Sequence, residues 1–578
     1  MPLTAKEVLS DILIISAEEI ALSGSRTLED LLQQKRGFEI TRYGGAGSAA
    51  SVFIRGTGNT QSLVLIDGVR VESSTLGGAT WSSIPLSQID HVEVVFGPQS
   101  SMYGADAMGG VVQIFTRQGE GAPNATVTTG VGSAGLRLLE AGVSGATADA
   151  HKIHYAIQAA SERMAGFSAA KPGAGPYTYN ADNDGYKKSS LSTRLGMTLA
   201  EGHTLGVQFL NSRVDAQFDA GAGFDDRTEQ RLSSVALVSQ NQLAANWRSV
   251  LQIGQTTDQS KTFASYGNDF INSRQNQFSW QSDITFDKDV LQVVMERRVE
   301  HVDADTAQIR GDRSTNSVAA SYHLRRGAQR GSIAVREDDN SQFGRHFTTS
   351  AEYGYRIDTS WRFNASAGTS FRAPTFNELY YPGYGIANNK PEQGRNRELG
   401  LYYDQGERQV SAVLFQNRLS DLLVYAPVCP VLLASHPYGC AYNIDSALLR
   451  GLSLSAEEQI GSIRLRAALD LQDPRNQTSG KTLARRAKQH GSLGAEYALG
   501  DMKLGLETIF SSQRFDDADN LQRLGGYTLF NLLASQRLGA NWTLFGRWNN
   551  VTNKNYELAQ FYATPGSNVF VGLRYAMR

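Results

Sequence analysis

The stretch NVFVGLRYAMR, residues 568–578, decides the fold because its apolar and polar residues alternate with a period of two. One face of the predicted strand carries five successive apolar residues: Val569, Val571, Leu573, Tyr575 and Met577. The opposite face carries Gly572, Arg574 and Ala576. An apolar face opposite an arginine is typical of a membrane barrel, whose outside contacts lipid and whose inside contacts water. We therefore predict that this strand crosses a membrane.

The same alternation recurs along the chain after residue 120. It is clear in three segments: HTLGVQFLNSRVD (203–215), SVAASYHLRR (317–326) and WRFNASAGTSF (361–371). A segment of ~455 residues has room for about 22 membrane-crossing strands and their connections. A series of soluble β-domains would instead need proline-rich linkers, and none is present in the sequence. Three long polar stretches predict extracellular loops: 171–186, 216–230 and 380–397.

Composition excludes several other classes of protein. The chain of 578 residues carries 55 basic and 57 acidic side chains, which argues against nucleic-acid binding and against a polybasic membrane anchor. The sequence contains no run of about 18 apolar residues, which a transmembrane helix would require. The opening MPLTAKEVLSDILIISAEEI (1–20) has acidic residues too early for a signal peptide.

The first 120 residues have a different pattern, which predicts a small mixed α+β domain. TLEDLLQQKRG (27–37) has helical spacing and ends at a glycine, whereas SLVLIDGVRV (62–71) and HVEVVFG (91–97) are short apolar runs between turns. We therefore divide the chain into an N-terminal domain, residues 1–120, and a barrel, residues 121–578.

The two cysteines, Cys429 and Cys440, lie close together in APVCPVLLASHPYGCAYN (426–443). Their short separation within a segment containing Pro, Gly and His predicts a disulfide that closes one loop, as in proteins of oxidising compartments. Two free thiols in a cytosolic protein are the alternative.

The chain resembles the TonB-dependent outer-membrane transporters, and within them the cobalamin-transporting branch. The resemblance rests on six segments in order: SVFIRGTGNTQSLVLIDGVRV (51–71), FGPQSSMYGADAMGGVVQIFTR (96–117), REDDNSQFGRHF (336–347), GTSFRAPTFNELY (368–380), LARRAK (483–488) and NNVTNKNYE (549–557). It implies a plug domain inside the barrel lumen, a location in the outer membrane of a Gram-negative bacterium, and contact with lipid and lipopolysaccharide. It also implies a monomer that takes up cobalamin or another corrinoid by coupling to the protein TonB. No TonB-contacting segment is recognisable at the start of the chain, so we expect this polypeptide to bind its ligand without transporting it.

The resemblance also implies the site residues. The expected ligand contacts are Ser51, Gly58, Asn59, Leu76, Gly77 and Arg485. The segment YNADNDGY (179–186) has oxygen ligands at alternate positions, but Leu191 replaces the glutamate that an EF-hand requires. By resemblance, a Ca²⁺ site would use two neighbouring loops, with ligands Asp182, Asp184, Asp219, Asp225 and Asp226. Solvated acidic loop tips are the alternative, and two positions depart from the family pattern: Ser168 and Phe218.

Two features of the N-terminal domain bear on how a plug would fit. In FGPQSSMYGADAMGGVVQIFTR (96–117), we expect Gly104, Gly109 and Gly110 to allow close approach of the plug backbone to its surroundings. Phe96 stands where the family has an arginine that joins Arg55 in a buried charge cluster. Half of that cluster is therefore expected to be replaced by apolar packing.

Other functions remain as alternatives. A siderophore or haem receptor would share the architecture, although no histidine lies between His346 and His436 to accompany the FRAP segment (371–374) as in haem receptors. A passive porin would not need the N-terminal domain. An outer-membrane hydrolase would also be a barrel, but no G-x-S-x-G or H-E-x-x-H motif is present, so we predict that the protein is not an enzyme.

Overall fold

The computed structural model describes residues 9–148 and 151–577. Within them, 22 antiparallel strands form a closed barrel around an N-terminal α+β domain, which confirms the predicted fold class. The predictions on a signal peptide and a TonB-contacting segment concern the start of the chain, and residues 1–8 lie outside the described part. No helix in that part is long and apolar enough to span a membrane.

In its described part, which begins at residue 9, the N-terminal domain, hereafter the plug, contains seven strands and three helices. The strands are β1 (Ile12–Ile15), β2 (Phe38–Arg42), β3 (Ala50–Ile54), β4 (Ser62–Ile66), β5 (Val69–Arg70), β6 (Ile89–Phe96) and β7 (Gly110–Thr116). The helices are α1 (Ala17–Ser23), α2 (Leu28–Leu32) and α3 (Ser100–Tyr103). Short 3-10 turns occupy Asn59–Gln61, Trp81–Ser83 and Leu86–Gln88.

The barrel contains the other strands. Its first half comprises β8 (Asn124–Gly132), β9 (Leu136–Ala146), β10 (Ile153–Phe167), β11 (Asp184–Ala200), β12 (His203–Gln217), β13 (Arg227–Ala244), β14 (Trp247–Ala264), β15 (Gly267–Phe286), β16 (Asp289–Ala304), β17 (Gly311–Arg326) and β18 (Gln329–Asn340). Its second half comprises β19 (Gly344–Arg356), β20 (Trp361–Arg372), β21 (Glu392–Gln405), β22 (Arg408–Ala426), β23 (Cys440–Ile460), β24 (Ile463–Asn476), β25 (Gln489–Leu499), β26 (Met502–Ser511), β29 (Tyr527–Leu538), β30 (Trp542–Asn549) and β31 (Asn568–Ala576). The connections contain helix α4 (Phe376–Tyr380), a two-stranded hairpin, β27 (Arg514–Phe515) and β28 (Arg523–Leu524), and 3-10 turns at Ser133–Gly135, Pro172–Ala174 and Ala307–Ile309.

The final strand closes the barrel, because β31 pairs antiparallel with β8 from Phe570↔Gly132 to Ala576↔Thr126. Its faces are as predicted: Val569 and Val571 are exposed on the outside, whereas Phe570 is buried inside. Aromatic pairs such as Trp361–Tyr403, whose ring centroids are 5.0 Å apart, lie near the rim with short turns. Outward apolar residues with aromatic residues at the rim are the pattern of a barrel in lipid.

The long connections lie at one rim and the short turns at the other, so the long ones are extracellular by the rule for outer-membrane barrels. The second of the three predicted loops is shorter than expected, because β12 and β13 extend into the 216–230 stretch, and the other two begin several residues earlier than predicted. Residues 168–183, 218–226 and 373–391 connect β10 to β11, β12 to β13 and β20 to β21.

The plug sheet has the strand order β1-β6-β7-β4-β5, and β4 runs parallel to β7. Helix α2 begins after Thr27, whose side chain accepts a hydrogen bond from the Asp30 amide at 3.2 Å. It is shorter than the predicted 27–37 segment, since it ends at Leu32 and turns follow. The last plug strand ends at Thr116 and the first barrel strand begins at Asn124, so the predicted boundary at residues 120–121 lies between them.

The buried charge cluster between plug and barrel keeps two arginines, although one family position is Phe96. Arg55 donates to Glu398 of the barrel at 2.7 Å and contacts Asp11, and Arg36 donates to Asp11 at 2.5 and 2.7 Å. Both guanidinium groups lie over the Phe96 ring, at 4.4 Å for Arg55 and 5.0 Å for Arg36. Burial alone would raise the pKa of Asp11, but Arg36 and Arg55 hold that pKa below its ordinary value. The prediction that apolar packing replaces half of the buried charge cluster is wrong, because Arg36 supplies the second positive charge from another segment of the plug.

The glycines of the 96–117 segment lie where the plug backbone passes close to other atoms. A Cβ on Gly104, whose φ is 83°, would lie 2.7 Å from the Arg336 guanidinium of β18. A Cβ on Gly109 would overlap the Thr57 side chain, and one on Gly110 would lie 2.6 Å from the Val95 carbonyl oxygen. Any larger residue would therefore push the plug against itself or the barrel wall.

Candidate functional site

The extracellular end of the lumen is a vestibule whose floor is the plug. We define it by the plug segments 51–61 and 73–78 and by the barrel loops 373–391 and 477–488. Four of the predicted ligand residues, Gly58, Asn59, Leu76 and Gly77, lie in its floor. Ser51 lies beside them in β3, opposite Thr41 in the β2–β3 hairpin.

The loop 73–78 presents Leu76 to solvent. The amide of Gly77 donates to the Ser73 carbonyl at 2.8 Å and the amide of Ser73 donates to the Gly78 carbonyl at 3.0 Å, which closes the loop. Leu76 at its tip is 65% exposed. A Cβ on Gly77, whose φ is 67°, would lie 2.7 Å from the Thr60 side chain, so the loop packs closely on the neighbouring turn. An exposed leucine on a fixed loop offers an apolar contact to a ligand above it.

Helix α4 of the barrel holds this loop from the other side. The amide of Phe376 donates to the Ser74 carbonyl at 3.1 Å. The Thr375 hydroxyl caps the helix by accepting from the Glu378 amide at 3.1 Å, and the Glu378 carboxylate accepts from the Thr375 amide at 2.8 Å. Arg372 donates to Glu378 at 2.9 and 3.0 Å and fixes the helix to β20.

The Asn59 side chain has partners within the plug. Its side-chain oxygen accepts from the Trp81 indole at 2.7 Å and from the Val52 amide at 3.3 Å. This oxygen therefore stabilises the 3-10 turn at Asn59–Gln61, because it accepts hydrogen bonds from two buried donors.

Arg485 also has partners within the protein. Its guanidinium donates to Asp516 at 2.8 and 3.3 Å, donates to the Tyr43 hydroxyl, and lies 5.0 Å above the Tyr43 ring. Tyr43 in turn contacts Tyr562 edge-to-face at 5.0 Å. Arg485 joins the plug to two barrel loops, and its charge is already paired.

The neighbouring Arg486 was missed by the sequence reasoning. Its guanidinium lies 4.3 Å above the Phe53 ring and donates to the Gly56 carbonyl at 3.1 Å, and a Cβ on Gly58 would lie 3.5 Å from it. Burial lowers the pKa of Arg486 to about 10. Within the described residues it forms no ion pair. Arg485 and Arg486 are neighbours in the LARRAK segment (483–488), and nothing in the sequence distinguishes the arginine that faces the vestibule from the one that is paired.

Three of the five predicted metal ligands come together above the vestibule. Oxygen atoms of Asp182, Asp184 and Asp219 lie within 4.8 Å of one another. Backbone amides fix two of them, since Ala169 donates to Asp184 at 2.6 Å and Ala170 donates to Asp219 at 2.7 Å. The other oxygen of Asp219 is buried and has no hydrogen-bond partner. Carboxylate oxygens in this arrangement suit a hard divalent cation.

Asp225 and Asp226 lie outside that group, contrary to the prediction. Asp225 accepts from the Gln217 side chain at 2.7 Å, and Asp226 accepts from the Ser265 amide at 2.8 Å. Asp225 remains close, since burial and the Asp225 charge both raise the pKa of Asp184, but neither Asp225 nor Asp226 belongs to the group whose oxygens lie within 4.8 Å of one another. Ser168 is one of the two residues that differ from the family pattern. Its hydroxyl donates to the carbonyls of Ala170 and Asn180 at 2.9 and 3.1 Å.

The disulfide Cys429–Cys440, with Cα atoms 5.3 Å apart, closes the loop between β22 and β23. Both cysteines are buried and pack against Ile386 of the 373–391 loop. The Ala441 amide donates to the Tyr384 carbonyl at 2.9 Å. The disulfide therefore supports the loop that carries α4.

Comparison with known proteins agrees with this architecture. Residues 139–551 match the family model "TonB dependent receptor-like, beta-barrel", and residues 4–111 match "TonB-dependent Receptor Plug Domain". The chain is 29% identical to a vitamin B12 transporter BtuB of Photobacterium profundum, over 96% of this chain and 91% of that protein. It is 27% identical to a vitamin B12 transporter BtuB of Vibrio vulnificus, over 98% and 92%.

Among solved structures, the siderophore receptor PirA from Acinetobacter baumannii superposes with a TM-score of 0.87 at 15% identity, and each chain is covered in full. The ferric enterobactin receptor PfeA from Pseudomonas aeruginosa superposes with a TM-score of 0.85 at 16% identity, with 98% of each chain covered. At these identities the likeness concerns the fold alone. Because the family models match most of the chain, it belongs to the TonB-dependent receptor family and is a TonB-dependent outer-membrane transporter.

Proposed function

We propose that this protein transports cobalamin or a related corrinoid across the outer membrane. The observation that carries the proposal is similarity over nearly the whole chain to two proteins named as vitamin B12 transporters. The solved siderophore receptors are less similar in sequence and share the fold.

The vestibule floor offers groups that suit this ligand. Cobalamin combines a broad, partly apolar macrocycle with amide side chains and one phosphodiester. Leu76 provides an apolar contact, and Arg486 provides a half-buried cation that forms no ion pair within the described residues. A cation partly shielded from solvent attracts an anionic group more strongly than one in bulk water.

The site is made by two bodies, since Leu76 belongs to the plug and Arg486 to the barrel. A ligand that contacts both is bound tightly only while the plug is seated. Displacement of the plug by TonB would separate the contacts and release the ligand, because only the seated arrangement has the full affinity.

A binding titration tests the substrate. We expect the detergent-solubilised protein to bind cyanocobalamin with a Kd of about 1 µM or lower, equivalent to about 8 kcal/mol. Haem and ferric siderophores are titrated in parallel. Saturable binding of haem or a siderophore without a cobalamin signal would contradict the proposal.

A variant pair locates the binding at the vestibule floor. Arg486→Gln should weaken cyanocobalamin binding by about tenfold or more, because a hydrogen bond to a charged group contributes about 1.5–3 kcal/mol. Lys481→Gln is the matched control: this residue lies in the same loop, but its ammonium group is paired with Asp519 at the surface. Equal affinity of both variants and the parent would remove Arg486 from the site.

We further propose that Asp182, Asp184 and Asp219 bind Ca²⁺ and thereby order the vestibule. The unpartnered oxygen of Asp219 and the mutual repulsion of three carboxylates support a cation there. The cluster is connected to the floor, since the Ala563 amide donates to the Ala169 carbonyl at 2.7 Å and Tyr562 contacts Tyr43.

Calcium should therefore increase cobalamin affinity by about tenfold, within the usual range of coupling between sites. Burial and the neighbouring Asp182 raise the pKa of Asp219 to about 6, against the lowering effect of the Ala170 amide. Because this pKa is raised, the loops without calcium lose stability as the pH rises through about 6. Calcium binds only the ionised carboxylate, so it can restore that stability above this pH. The calcium effect is thus expected at about pH 7.5 and absent at about pH 5.

The same titration in calcium or chelator checks this prediction. Asp182→Asn with Asp219→Asn should abolish the calcium effect, whereas Asp225→Asn, outside the three-carboxylate group, should retain it. A parent protein that binds cobalamin equally in calcium and in chelator would show that these residues are ordinary acidic loop residues.

A further inference from the structure

A cavity of about 600 Å³, hereafter the periplasmic cavity, lies between helix α1 of the plug and the barrel. A continuous part of the barrel wall lines it, from β24–β26 through β29–β31 to β8–β11. It reaches the rim with the short turns, since Lys503 and Ala576 line it near the ends of β26 and β31, and the Glu18 side chain at its mouth is 68% exposed. That rim faces the periplasm in an outer-membrane barrel, so the cavity opens toward the periplasm.

A second cavity, of about 350 Å³, lies on the extracellular side of the first. It is bordered by the turn between β8 and β9 and by residues 564–568, which follow Tyr562, the residue that contacts Tyr43. Four residues line both cavities and form the partition between them: Gly24, Arg26, Leu136 and Phe570. The periplasmic cavity therefore lies on a path through the lumen beside the plug.

Many charged groups along the periplasmic cavity are paired. Three ion pairs join its lining residues: Glu18–Lys503 at 3.3 Å, Glu19–Arg466 at 3.4 Å and Glu507–Arg547 at 2.6 Å. Among the described residues that line the cavity, four cations form no ion pair: Arg26, Arg117, Lys188 and Arg574. Two carboxylates of the lining also form none, Glu140 and Glu162, and Glu162 accepts a hydrogen bond from the Tyr186 hydroxyl. The unpaired groups therefore carry an excess of positive charge.

Two of these cations, Arg117 and Arg574, lie close to each other. Arg117 directly follows the last plug strand, β7, and Arg574 faces the lumen one inward position before the end of β31. Burial and the nearby Arg574 lower the pKa of Arg117, whereas Glu140 and Asp90 act in the opposite direction. The Nε atom of Arg117 is buried and has no hydrogen-bond partner. Two guanidinium groups that repel each other favour an anionic ligand, and guanidinium geometry suits phosphate in particular.

The register of the wall leaves space in front of Arg574. One row of inward residues continues from it across four strands: Thr128, Glu140, Ala160 and Ser190. Three of the four are small. Gln88 of the plug donates to the Ser190 hydroxyl at 2.8 Å, and the Arg117 amide donates to the Gln88 carbonyl at 3.2 Å. These contacts fix Arg117 against the same row of the wall.

We propose that the periplasmic cavity binds a phosphate group through Arg117 and Arg574, and that this group is the phosphodiester of the ligand as it passes to the periplasm. The assignment to a corrinoid rests on the proposed function, whereas the anion site itself does not. In that function Arg486 contacts the phosphodiester at the vestibule floor. A second cationic site lets the anion leave the first without losing all of its favourable electrostatic contacts. The cavity volume is within the range of small-molecule sites.

Titration of the detergent-solubilised Arg486→Gln protein with inorganic phosphate tests the anion site, because this background lacks the vestibule cation. We expect one phosphate to bind with a Kd of about 1 mM. Arg117→Gln with Arg574→Gln in the same background should weaken this binding about tenfold or more. Tungstate, an electron-dense analogue of phosphate, should occupy the space between the two arginines in soaked crystals.

Arg464→Gln with Lys503→Gln is the matched control. It also removes two cations that line the periplasmic cavity, but these are paired with Glu457 at 3.8 Å and with Glu18 at 3.3 Å. This variant should keep its affinity for phosphate within about threefold, because its cations already have partners. Equal loss of affinity in both double variants, or none in the first, would overturn the anion site.

Competition distinguishes the phosphodiester of the ligand from free phosphate. Cyanocobalamin carries a phosphodiester, and dicyanocobinamide is a corrinoid without one. We expect cyanocobalamin to displace phosphate from the Arg486→Gln protein and dicyanocobinamide to leave it bound. Displacement by neither compound, or equally by both, would overturn the assignment to the transported phosphodiester.

The two proposals fail in different ways. If the parent protein binds cyanocobalamin but phosphate is not displaced, the periplasmic site is contradicted and the proposed function stands. If the parent protein binds no cyanocobalamin, the corrinoid assignment is contradicted, whereas the phosphate titration still decides whether Arg117 and Arg574 form an anion site.

Discussion

Arg55→Ala is expected to loosen the plug inside the barrel and to lower its free energy of unfolding by about 3–5 kcal/mol. The guanidinium of Arg55 is buried, pairs with Glu398 of the barrel at 2.7 Å and contacts Asp11 of the plug. It also lies 4.4 Å from the Phe96 ring and 5.2 Å from the Phe415 ring. Its removal leaves the Glu398 carboxylate buried without a cation, which costs more than the lost contact itself.

Hydrogen exchange of plug peptides as a function of denaturant measures this effect. Arg213→Ala is the control, because Arg213 is exposed and its pairing with Glu229 contributes little at a surface. Arg55→Ala combined with Glu398→Gln should be less destabilised than the sum of the single changes, since the second change removes the unpaired charge. A plug as stable in Arg55→Ala as in the control would show that the cluster does not hold it.

Arg372→Ala is expected to release α4 from the vestibule and to weaken ligand binding by about tenfold or more. Arg372 is buried between Glu378 and Glu392, with contacts of 2.9 and 2.6 Å. Burial alone would raise the pKa of Glu378, and Arg372 holds it below its ordinary value. Without Arg372 two buried carboxylates lose their cation, at a cost of about 3–5 kcal/mol. The helix and its hold on the Ser74 carbonyl would then be lost together.

Hydrogen exchange across residues 373–391 should show lost protection in Arg372→Ala, together with the fall in affinity for cyanocobalamin. Lys390→Ala is the matched control, because it removes one exposed cation from the same loop. Retained protection in Arg372→Ala would mean that the disulfide and the capping contacts are enough to hold the loop.

The sequence by itself determined the barrel and the plug. Alternation at Val569 and Val571 is a local property of an extended strand, so it identifies the lipid face without knowledge of the partner strands. The length of the chain after residue 120 then set the number of strands. The close spacing of Cys429 and Cys440 likewise predicted a loop disulfide, because the two residues are near one another along the chain.

Only the tertiary structure decided which charged residues meet. Arg36 replaces the family arginine at Phe96 from sixty residues away along the chain, and the sequence carries no sign of that substitution. Adjacent arginines Arg485 and Arg486 look equivalent in sequence, yet one is paired with Asp516 and the other lies unpaired at the vestibule floor. Contacts of this kind depend on how distant segments are brought together by the closed barrel. The periodicity of a strand gives the face of a residue, but its partners are set by strand register and plug position.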